Sequence, residues 1–249
     1  MTKDWRGRAV AAAIGLALGG SAGVVFAAEG APSVGAGDKA AIEAIVRNYI
    51  LEHPEILPEA MKRLEARERG KQIDANRAAI ETPFAKAWAG AADADVVLVE
   101  YFDYNCGYCR RSVAEVDRLL AEDKKLKVVF RELPILSAES DLAARASLVA
   151  AKHGNFIDFH RRLYAAGSPT EAKIAAVAKE SGIDQAAIKA GATAADAQRE
   201  IDGNIEMART LGMSGTPTFI VGDQIFMGAV GYDVLKAAIA ETRAAKAKG

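Results

Sequence analysis

The decisive stretch of this chain reads Val96-Val97-Leu98-Val99-Glu100-Tyr101-Phe102-Asp103-Tyr104-Asn105-Cys106-Gly107-Tyr108-Cys109-Arg110-Arg111. Its apolar and β-branched first half predicts a buried strand. The chain turns at Asn105, and apolar side chains then recur every three to four residues, which predicts a helix. Those side chains belong to Val113, Val116, Leu119 and Leu120. Cys106 and Cys109 therefore lie where a strand gives way to a helix.

Cys106 and Cys109 are the two cysteines of the chain, and three kinds of chemistry could explain them. A structural disulfide would close a very short loop, worth roughly 2 kcal/mol against about 3 kcal/mol for a loop of about 15 residues. A zinc site would need about two further ligands, and the histidines of the chain all lie far from this pair in sequence. Redox catalysis is the interpretation we favour.

Redox catalysis agrees with a position at the beginning of a helix. Unpartnered backbone N–H groups and the positive end of the helix dipole favour a thiolate there, and the pKa of such cysteines falls to roughly 3.5–7.5. We therefore expect Cys106 to be the exposed attacking or leaving sulfur and Cys109 to be the resolving thiol. Thiol–disulfide exchange through a mixed disulfide needs no metal or other cofactor, because the cysteine pair itself carries the electrons.

The composition of the chain limits its organisation and its partners. It has 249 residues, of which 51% are apolar, and this fits one domain with an extension. The net charge is −1 and no basic cluster follows a helix face, so we do not expect nucleic acid as a partner.

Residues 1–27 are typical of a secretory signal peptide. A short basic segment precedes the apolar run 9–26, and a small residue, Ala27, lies at the expected cleavage point. The alternative is a membrane anchor, but the run is marginal in length, rich in Ala and Gly, and interrupted by Ser21. The basic residues are Lys3, Arg6 and Arg8. Export to an oxidising compartment makes a disulfide between the cysteines the natural chemistry.

Three segments connect the signal to the decisive stretch. Residues 28–37 form a flexible leader of Gly, Pro, Ser and Ala, and residues 38–64 show apolar side chains at helical spacing. Residues 65–81 are charged all round, so they predict a solvated helical linker and not a core element. The apolar helices of 38–64 need a partner surface, either their own domain or another copy. We favour a homo-oligomer formed through 38–64, in a coiled-coil-like arrangement.

Beyond the cysteines the chain alternates strand and helix signals. A second strand is predicted over Leu126–Glu132, and a long helical region follows it. Gly222-Asp223 is a hairpin turn signal between two late strands, Thr216–Val221 and Gln224–Met227. An amphipathic helix from Gly231 to about Lys246 ends the chain. The order of elements predicts an α/β domain.

Three ordered features now resemble a known family. A strand ending in Phe102, the pair Cys106-x-x-Cys109 and the later Gly215-Thr216-Pro217-Thr218-Phe219 resemble the thioredoxin fold. The helical block at about 137–211 resembles the DsbA-type insertion. The resemblance implies a catalytic domain over 82–249. It also implies that the Thr216–Pro217 peptide bond is cis, lies against the disulfide and exposes the Thr216 backbone to pair with a substrate strand.

Two further resemblances refine the expected activity. DsbA oxidases carry Pro-His between their cysteines, whereas Gly107-Tyr108 is similar to the isomerases of the DsbC type. The missing imidazole implies that Cys106 is less acidic and its disulfide less oxidising. Gly107, Tyr108 and Thr216 are expected to contact substrate. The helical segment 38–64 resembles that of the ScsC (suppressor of copper sensitivity) family, whose members are DsbA-like and can act as isomerases when trimeric.

Glu100 precedes Cys106 on the predicted strand. In DsbA-like proteins a strand acid at this place is buried behind the disulfide, and the resemblance implies that Glu100 relays the proton of Cys109. The alternative is a strand end that faces solvent. Lys127 or Arg131 could pair with this acid.

The sequence thus predicts a periplasmic thiol:disulfide isomerase or reductase. Its substrates would be unfolded or misoxidised exported proteins, and a membrane redox partner would keep Cys106 reduced. A trimer would present several catalytic sites to one substrate. The alternatives are a DsbA-like oxidase and a Cu(I)-binding copper-tolerance protein, since two thiolates suit this soft ion.

Overall fold

A computed structural model describes residues 36–247. The predicted signal peptide, and all of the predicted leader before residue 36, lie outside the described residues. The chain divides into two compact units, Met1–Pro54 and Glu55–Gly249.

The described part of the first unit is one helix, α1 (Ala36–Glu52). Asp38 lies in its first turn, where a negative charge complements the helix dipole. The ring of Tyr49 lies 4.6 Å from that of His53, and Pro54 follows directly. Most of the large apolar side chains of α1 are exposed. These exposed residues are Ile42, Ile45, Val46, Tyr49 and Leu51.

The second unit begins with the helix α2 (Ile56–Glu81). The prediction that 65–81 is helical agrees with this, but the expectation that it contributes nothing to a core is wrong. Ile73 and Ile80 are both 0% exposed and pack on Val99 and Tyr101. These two isoleucines lie on the same face of α2, because a seven-residue spacing is about two helical turns.

A buried arginine holds the C-terminal end of α2. Arg131 donates from Nε to the Ile80 carbonyl at 3.2 Å and also to the carbonyls of Ala79 and Thr82. Its Nη1 pairs with Glu200 at 2.7 Å. Carbonyls at a helix C-terminus lack intrahelical partners, so a guanidinium with several donors satisfies them together.

The sheet contains five strands within residues 36–247, in the order β1-β3-β2-β4-β5. Only β2 and β3 are parallel to each other, and the remaining pairs are antiparallel. The strands are β1 (Trp88–Gly90), β2 (Val96–Phe102), β3 (Leu126–Glu132), β4 (Thr218–Val221) and β5 (Gln224–Met227). The edge strand β1 was not predicted, and β4 begins two residues later than predicted.

Helices cover both faces of the sheet. The helix α3 follows β2, and a helical block lies between β3 and β4, close to the predicted 137–211. The helices are α3 (Gly107–Glu122), α4 (Ala138–His153), α5 (Phe156–Ala165), α6 (Glu171–Glu180), α7 (Gln185–Ala192), α8 (Ala195–Thr210) and α9 (Tyr232–Lys246). The short helix α7 was not predicted.

Alternation along β2 decides what lies behind the cysteines. Leu98 and Phe102 point into the core that also contains Cys109, whereas Val99 and Tyr101 point to the core that contains the end of α2. Side chains two residues apart share a face of a strand, so Glu100 lies on the cysteine side.

Because the end of α2 is part of the core, we predict that Ile80→Ala destabilises the protein by about 2–5 kcal/mol. Val234→Ala is the control, since Val234 is an aliphatic helix residue that is 42% exposed, and it should cost less than about 1 kcal/mol. Urea unfolding of both variants gives the two free energies. Equal losses would mean that this part of α2 is a solvated linker after all.

Candidate active site

Cys106 is the N-cap residue of α3. Its backbone is extended (φ −82°, ψ 114°), and its sulfur accepts a hydrogen bond from the Cys109 N–H at 3.3 Å. The cysteine sulfur thus takes the place of the side-chain oxygen that usually caps a helix. The predicted position of the pair at the beginning of a helix agrees with this geometry.

The cysteines differ less in exposure than expected. Cys106 is 5% exposed and Cys109 is 0% exposed, so the expectation of an exposed Cys106 is wrong. The reason is the loop before β4, whose Thr216 carbonyl oxygen lies 3.2 Å from the Cys106 sulfur. Only a small part of Cys106 is therefore accessible to solvent.

The surroundings of Cys106 stabilise its thiolate. The Cys109 thiol is the largest contribution to lowering the pKa of Cys106 to about 5, against the opposing effect of burial. The side chain of Thr216 and the backbone N–H groups of Tyr108 and Cys109 lower it further. The Thr216 hydroxyl is buried, and no partner among the described residues lies within hydrogen-bond geometry of it.

Cys109 is held in the opposite protonation state. Burial is the main cause that raises the pKa of its thiol, and the neighbouring Cys106 and the charge of Glu100 raise it further. Cys109 is therefore a thiol at neutral pH and must lose its proton before it can attack a mixed disulfide.

The predicted substrate-contacting residues lie around Cys106. The Thr216–Pro217 peptide bond is cis, as the resemblance implied. Tyr108 is 58% exposed, with the Arg111 guanidinium 4.4 Å from its ring centre. A side chain at Gly107 would meet nothing within 4 Å, so this position is open.

Glu100 lies behind the cysteines and is 3% exposed, so the alternative of a solvent-facing strand end is wrong. Burial is the main cause that raises its pKa to about 8, and the charges of Cys106 and Glu115 add to the rise. The suggested pairing with Lys127 or Arg131 is also wrong. Arg131 binds Glu200 on the opposite side of the sheet, and Lys127 lies over the Trp88 ring.

The sequence did not single out a buried polar chain beside the site. Tyr104 donates to Ser147 at 3.0 Å, and Ser147 donates to Glu132 at 2.5 Å. The Tyr104 hydroxyl also lies 3.2 Å from Nδ1 of His160, whose pKa is lowered to about 3 by burial. His160 lies on the apolar face of α5 and gave no sequence signal beyond ordinary core packing.

Asp103 was also missed, although it lies between Glu100 and Cys106. Its side chain accepts the N–H of Asn105 at 2.7 Å, which is an Asx turn. An Asp two residues before an Asn at a strand end is a turn signal, and it could have drawn attention to this residue. The fold and the cysteine pair together define a thiol–disulfide oxidoreductase of the thioredoxin class.

Comparison with known families identifies the group within that class. Residues 97–240 match the model of the DsbA-like thioredoxin domain, and residues 38–70 match that of the copper resistance protein ScsC N-terminal domain. The first match covers more than half of the chain. The protein therefore belongs to the DsbA-like thioredoxin-domain family, and the predicted fold class is confirmed.

Solved structures agree with this assignment. A thioredoxin-like oxidoreductase from Silicibacter pomeroyi is 37% identical, with a TM-score of 0.65 over 68% of this chain and 98% of the other. A Proteus mirabilis ScsC variant with a linker deletion is 29% identical, with a TM-score of 0.66 over 85% and 98%. A periplasmic thioredoxin-like protein from Salmonella enterica is 27% identical, with a TM-score of 0.61 over 68% and 95%.

Curated relatives include a Na(+)/H(+) antiporter, NhaA 3, from Salinispora tropica. It is 28% identical over 153 residues, which are 60% of this chain and 24% of the antiporter. The chain thus spans about a quarter of the length of the curated relatives it matches. Between residues 36 and 247, no helix has the length and apolar character needed to cross a membrane.

Glu100→Gln should change the pH dependence of stability. Folding raises the pKa of this acid from 4.5 to about 8, so its effect is absent below about pH 4.5 and stability falls as the pH rises towards about 8. At about 1.4 kcal/mol per pKa unit, the reduced variant should exceed the reduced parent by a few kcal/mol at pH 8. The difference should vanish at low pH.

Denaturant unfolding across this pH range measures that difference. Glu206→Gln is the matched control, because Glu206 is an exposed acid and should show no such trend. A constant difference between parent and Glu100→Gln at every pH would show that the folded protein does not hold Glu100 protonated.

Proposed function

We propose that this protein is a periplasmic thiol:disulfide isomerase and reductase that acts on exported proteins. The observation that carries the proposal is the Cys106 sulfur at the N-terminus of α3, with a pKa lowered to about 5. This value lies between those of the strong oxidant DsbA, about 3.5, and thioredoxin, about 7. Cys106 is therefore a thiolate at neutral pH. It is a poorer leaving group than the cysteine of DsbA, because its pKa is higher.

The first step uses this thiolate. Cys106 attacks one sulfur of a substrate disulfide, that S–S bond breaks, and the other substrate sulfur leaves as a thiolate. In isomerisation, a different substrate thiolate then attacks the mixed disulfide and releases Cys106. No net electrons pass, and the substrate leaves with a new pairing of cysteines.

In reduction, Cys109 completes the reaction. It gives up its proton, attacks the Cys106 sulfur and displaces the second substrate thiolate, so the cysteine pair is oxidised by two electrons. Glu100 is the proposed proton acceptor. The Cys106 charge that helps to raise the pKa of Glu100 is absent in the mixed disulfide, so the carboxyl ionises more readily at the moment a base is needed.

The N-terminal helix supports an isomerase that works as an oligomer, with a trimer favoured. The helix α1 exposes Ile42, Ile45 and Tyr49 within its unit, and residues 38–70 match the ScsC N-terminal domain. Apolar side chains on an exposed helix call for a partner surface. Several catalytic units on one oligomer could hold a misoxidised protein while its disulfides are exchanged.

Two observations support the periplasmic location, and the proposed chemistry requires a redox partner. Residues 1–27 have the composition of a secretory signal, and the Salmonella relative is described as periplasmic. An isomerase needs reduced Cys106 in a compartment that oxidises thiols, so a membrane electron-transfer protein would supply the electrons. An oxidase would need an oxidant in its place.

We predict that the reduced protein restores activity to scrambled ribonuclease and that Ile42→Lys with Tyr49→Lys abolishes this rescue. Both positions lie two turns apart on α1, so two charges there should separate the copies. The double variant should still reduce insulin. Light scattering measures the oligomer, and Asn48→Lys, an exposed polar position of α1, is the control that should keep both activities.

Three outcomes would contradict parts of this proposal. Reductive activity without rescue by the unaltered protein would refute an isomerase. Rescue by a double variant shown to be monomeric would refute the need for an oligomer. Faster oxidation of reduced ribonuclease than rescue of the scrambled form would favour an oxidase.

Copper binding is a second candidate function. The match of residues 38–70 to the N-terminal domain of a copper resistance protein favours it. No cluster of three or more His, Cys, Asp or Glu side chains suited to a metal occurs between residues 36 and 247. The two cysteine sulfurs would form the protein's ligand set for Cu(I), which prefers soft sulfur ligands, and Cys109 would give up its proton on binding.

We predict that the reduced protein binds Cu(I) with one ion per cysteine pair and that Cys106→Ser abolishes binding. Competition with a chromogenic Cu(I) chelator measures the affinity. The oxidised protein is the control, because a disulfide has no thiolate to offer. Equal binding by the reduced protein and Cys106→Ser would place the copper elsewhere and remove this candidate.

A further inference from the structure

A cationic side chain lies next to the cysteine pair, over an exposed aromatic ring. Tyr108, inside the motif, is 58% exposed, and the Arg111 guanidinium lies 4.4 Å from its ring centre. Side chains of an α-helix lean towards its N-terminus, and residues three apart are neighbours on the helix surface. Arg111 therefore extends along α3 towards Cys106, the residue that caps this helix.

Arg111 forms no ion pair with any residue in the range 36–247. The ordinary partner of an arginine, four residues further along a helix, would be Glu115. One carboxylate oxygen of Glu115 is buried, however, and the charge of this acid acts on Glu100, so Glu115 is turned towards the core. Arg118, on the same helix, shows the usual arrangement and pairs with Glu122 at 2.9 Å.

An arginine that stacks on an aromatic ring keeps its capacity for hydrogen bonds. The ring contacts the face of the guanidinium, so the N–H donors around its edge stay available. A carboxylate accepts from two of these donors at once. The ring also restricts the long arginine side chain before anything binds, which reduces the entropy lost on binding. Tyr108 thus prepares Arg111 for an anion.

The charge of the attacking sulfur gives this cation a purpose. Cys106 is negatively charged when it attacks, so a carboxylate close to the substrate disulfide is repelled by the thiolate. A guanidinium one turn along the same helix offsets this repulsion and attracts the carboxylate. Arg111 therefore decides whether an acidic substrate is slowed or favoured.

We propose that Arg111, held on the ring of Tyr108, binds a carboxylate next to the disulfide that Cys106 attacks. This inference rests on the proposed exchange activity and adds a substrate class, which is disulfides with an acidic group beside the reacting cysteine. Two sources supply such a carboxylate, the acidic residues of a polypeptide and glutathione. In this preference Arg111 contacts the substrate, and Tyr108 is the positioning residue that acts through it.

The test measures the second-order rate constant for the reaction of reduced protein with three disulfides. They are a peptide disulfide with Glu on both sides of its cysteine, the same peptide with Gln at those positions, and glutathione disulfide. Arg111→Gln should lower the ratio of the Glu to the Gln rate constant about two- to fivefold, the usual range for an exposed charge pair. The Gln peptide should react nearly as it does with the unaltered protein. About 1 M salt should lower the ratio in the unaltered protein.

Matched variants separate a local contact from net charge. Arg199→Gln is the control, because Arg199 is an exposed arginine of α8 and its replacement removes the same charge. It should leave the ratio unchanged. Tyr108→Leu keeps an apolar side chain but removes the ring, and it should also lower the ratio. Combined with Arg111→Gln, it should lower the ratio no further than Arg111→Gln alone, since both act through one guanidinium.

The outcomes are distinguishable from failure of the proposed function. If the unaltered protein exchanges none of the three disulfides, the exchange activity itself is refuted. A fall in the Glu to Gln ratio alone would assign the carboxylate to polypeptides, and a slower reaction of glutathione disulfide alone, relative to the Gln peptide, would assign it to glutathione.

Two results would overturn the inference. The first is an unchanged Glu to Gln ratio together with an unchanged rate for glutathione disulfide in Arg111→Gln. The second is an equal fall in Arg111→Gln and Arg199→Gln, because net charge would then explain the preference. If Arg111→Gln does not fold, Tyr108→Leu decides the question through the same ratio.

Discussion

The site depends on one contact, the hydrogen bond from the Cys109 N–H to the Cys106 sulfur at the N-terminus of α3. A charged acceptor at this place is stabilised by the helix dipole and by free N–H groups, and both effects grow with negative charge. The reduced protein, which carries the thiolate, therefore gains a stabilisation that a disulfide cannot provide to the same extent. This contact therefore contributes to the stability of the reduced form relative to the disulfide.

Burial makes the two sulfurs unequal partners. The Cys106 sulfur lies next to the Thr216 carbonyl but also receives hydrogen bonds. Cys109 lies in the apolar core near Glu100. In a medium of low dielectric, each added charge raises the cost of the next one. The Cys106 charge adds to the effect of burial on the pKa of Glu100, so the protonation of this acid depends on the state of the cysteine pair.

The local sequence pattern predicted most helices and strands and the position of the cysteines. The errors arise where a residue's surroundings are set by contacts with residues distant in sequence. The strands β2 and β3 and the helix α3 follow from apolar spacing along a few residues. The exposure of Cys106 depends on Thr216, which is distant in sequence. Ile73 and Ile80 are buried because they pack on the face of the sheet that carries Val99 and Tyr101. Arg131 holds the end of α2 in that place. The sequence of a helical segment that is charged nearly all round does not reveal such partners, because they lie elsewhere in the chain.

Glu100 was predicted from the sequence to belong to the site, whereas Asp103 was missed. Both acids lie close together near the end of β2 and both are buried, and nothing in their residue type predicts how different their surroundings are. Alternation turns Glu100 towards the cysteines, where no hydrogen bond from the described residues offsets its burial. Asp103 lies in the turn, where four donors converge on its carboxylate. An acid with all its acceptor positions filled holds structure in place, whereas an acid without donors is able to exchange a proton. These donors, two of which come from the loop after β3, distinguish the surroundings of Asp103 from those of Glu100.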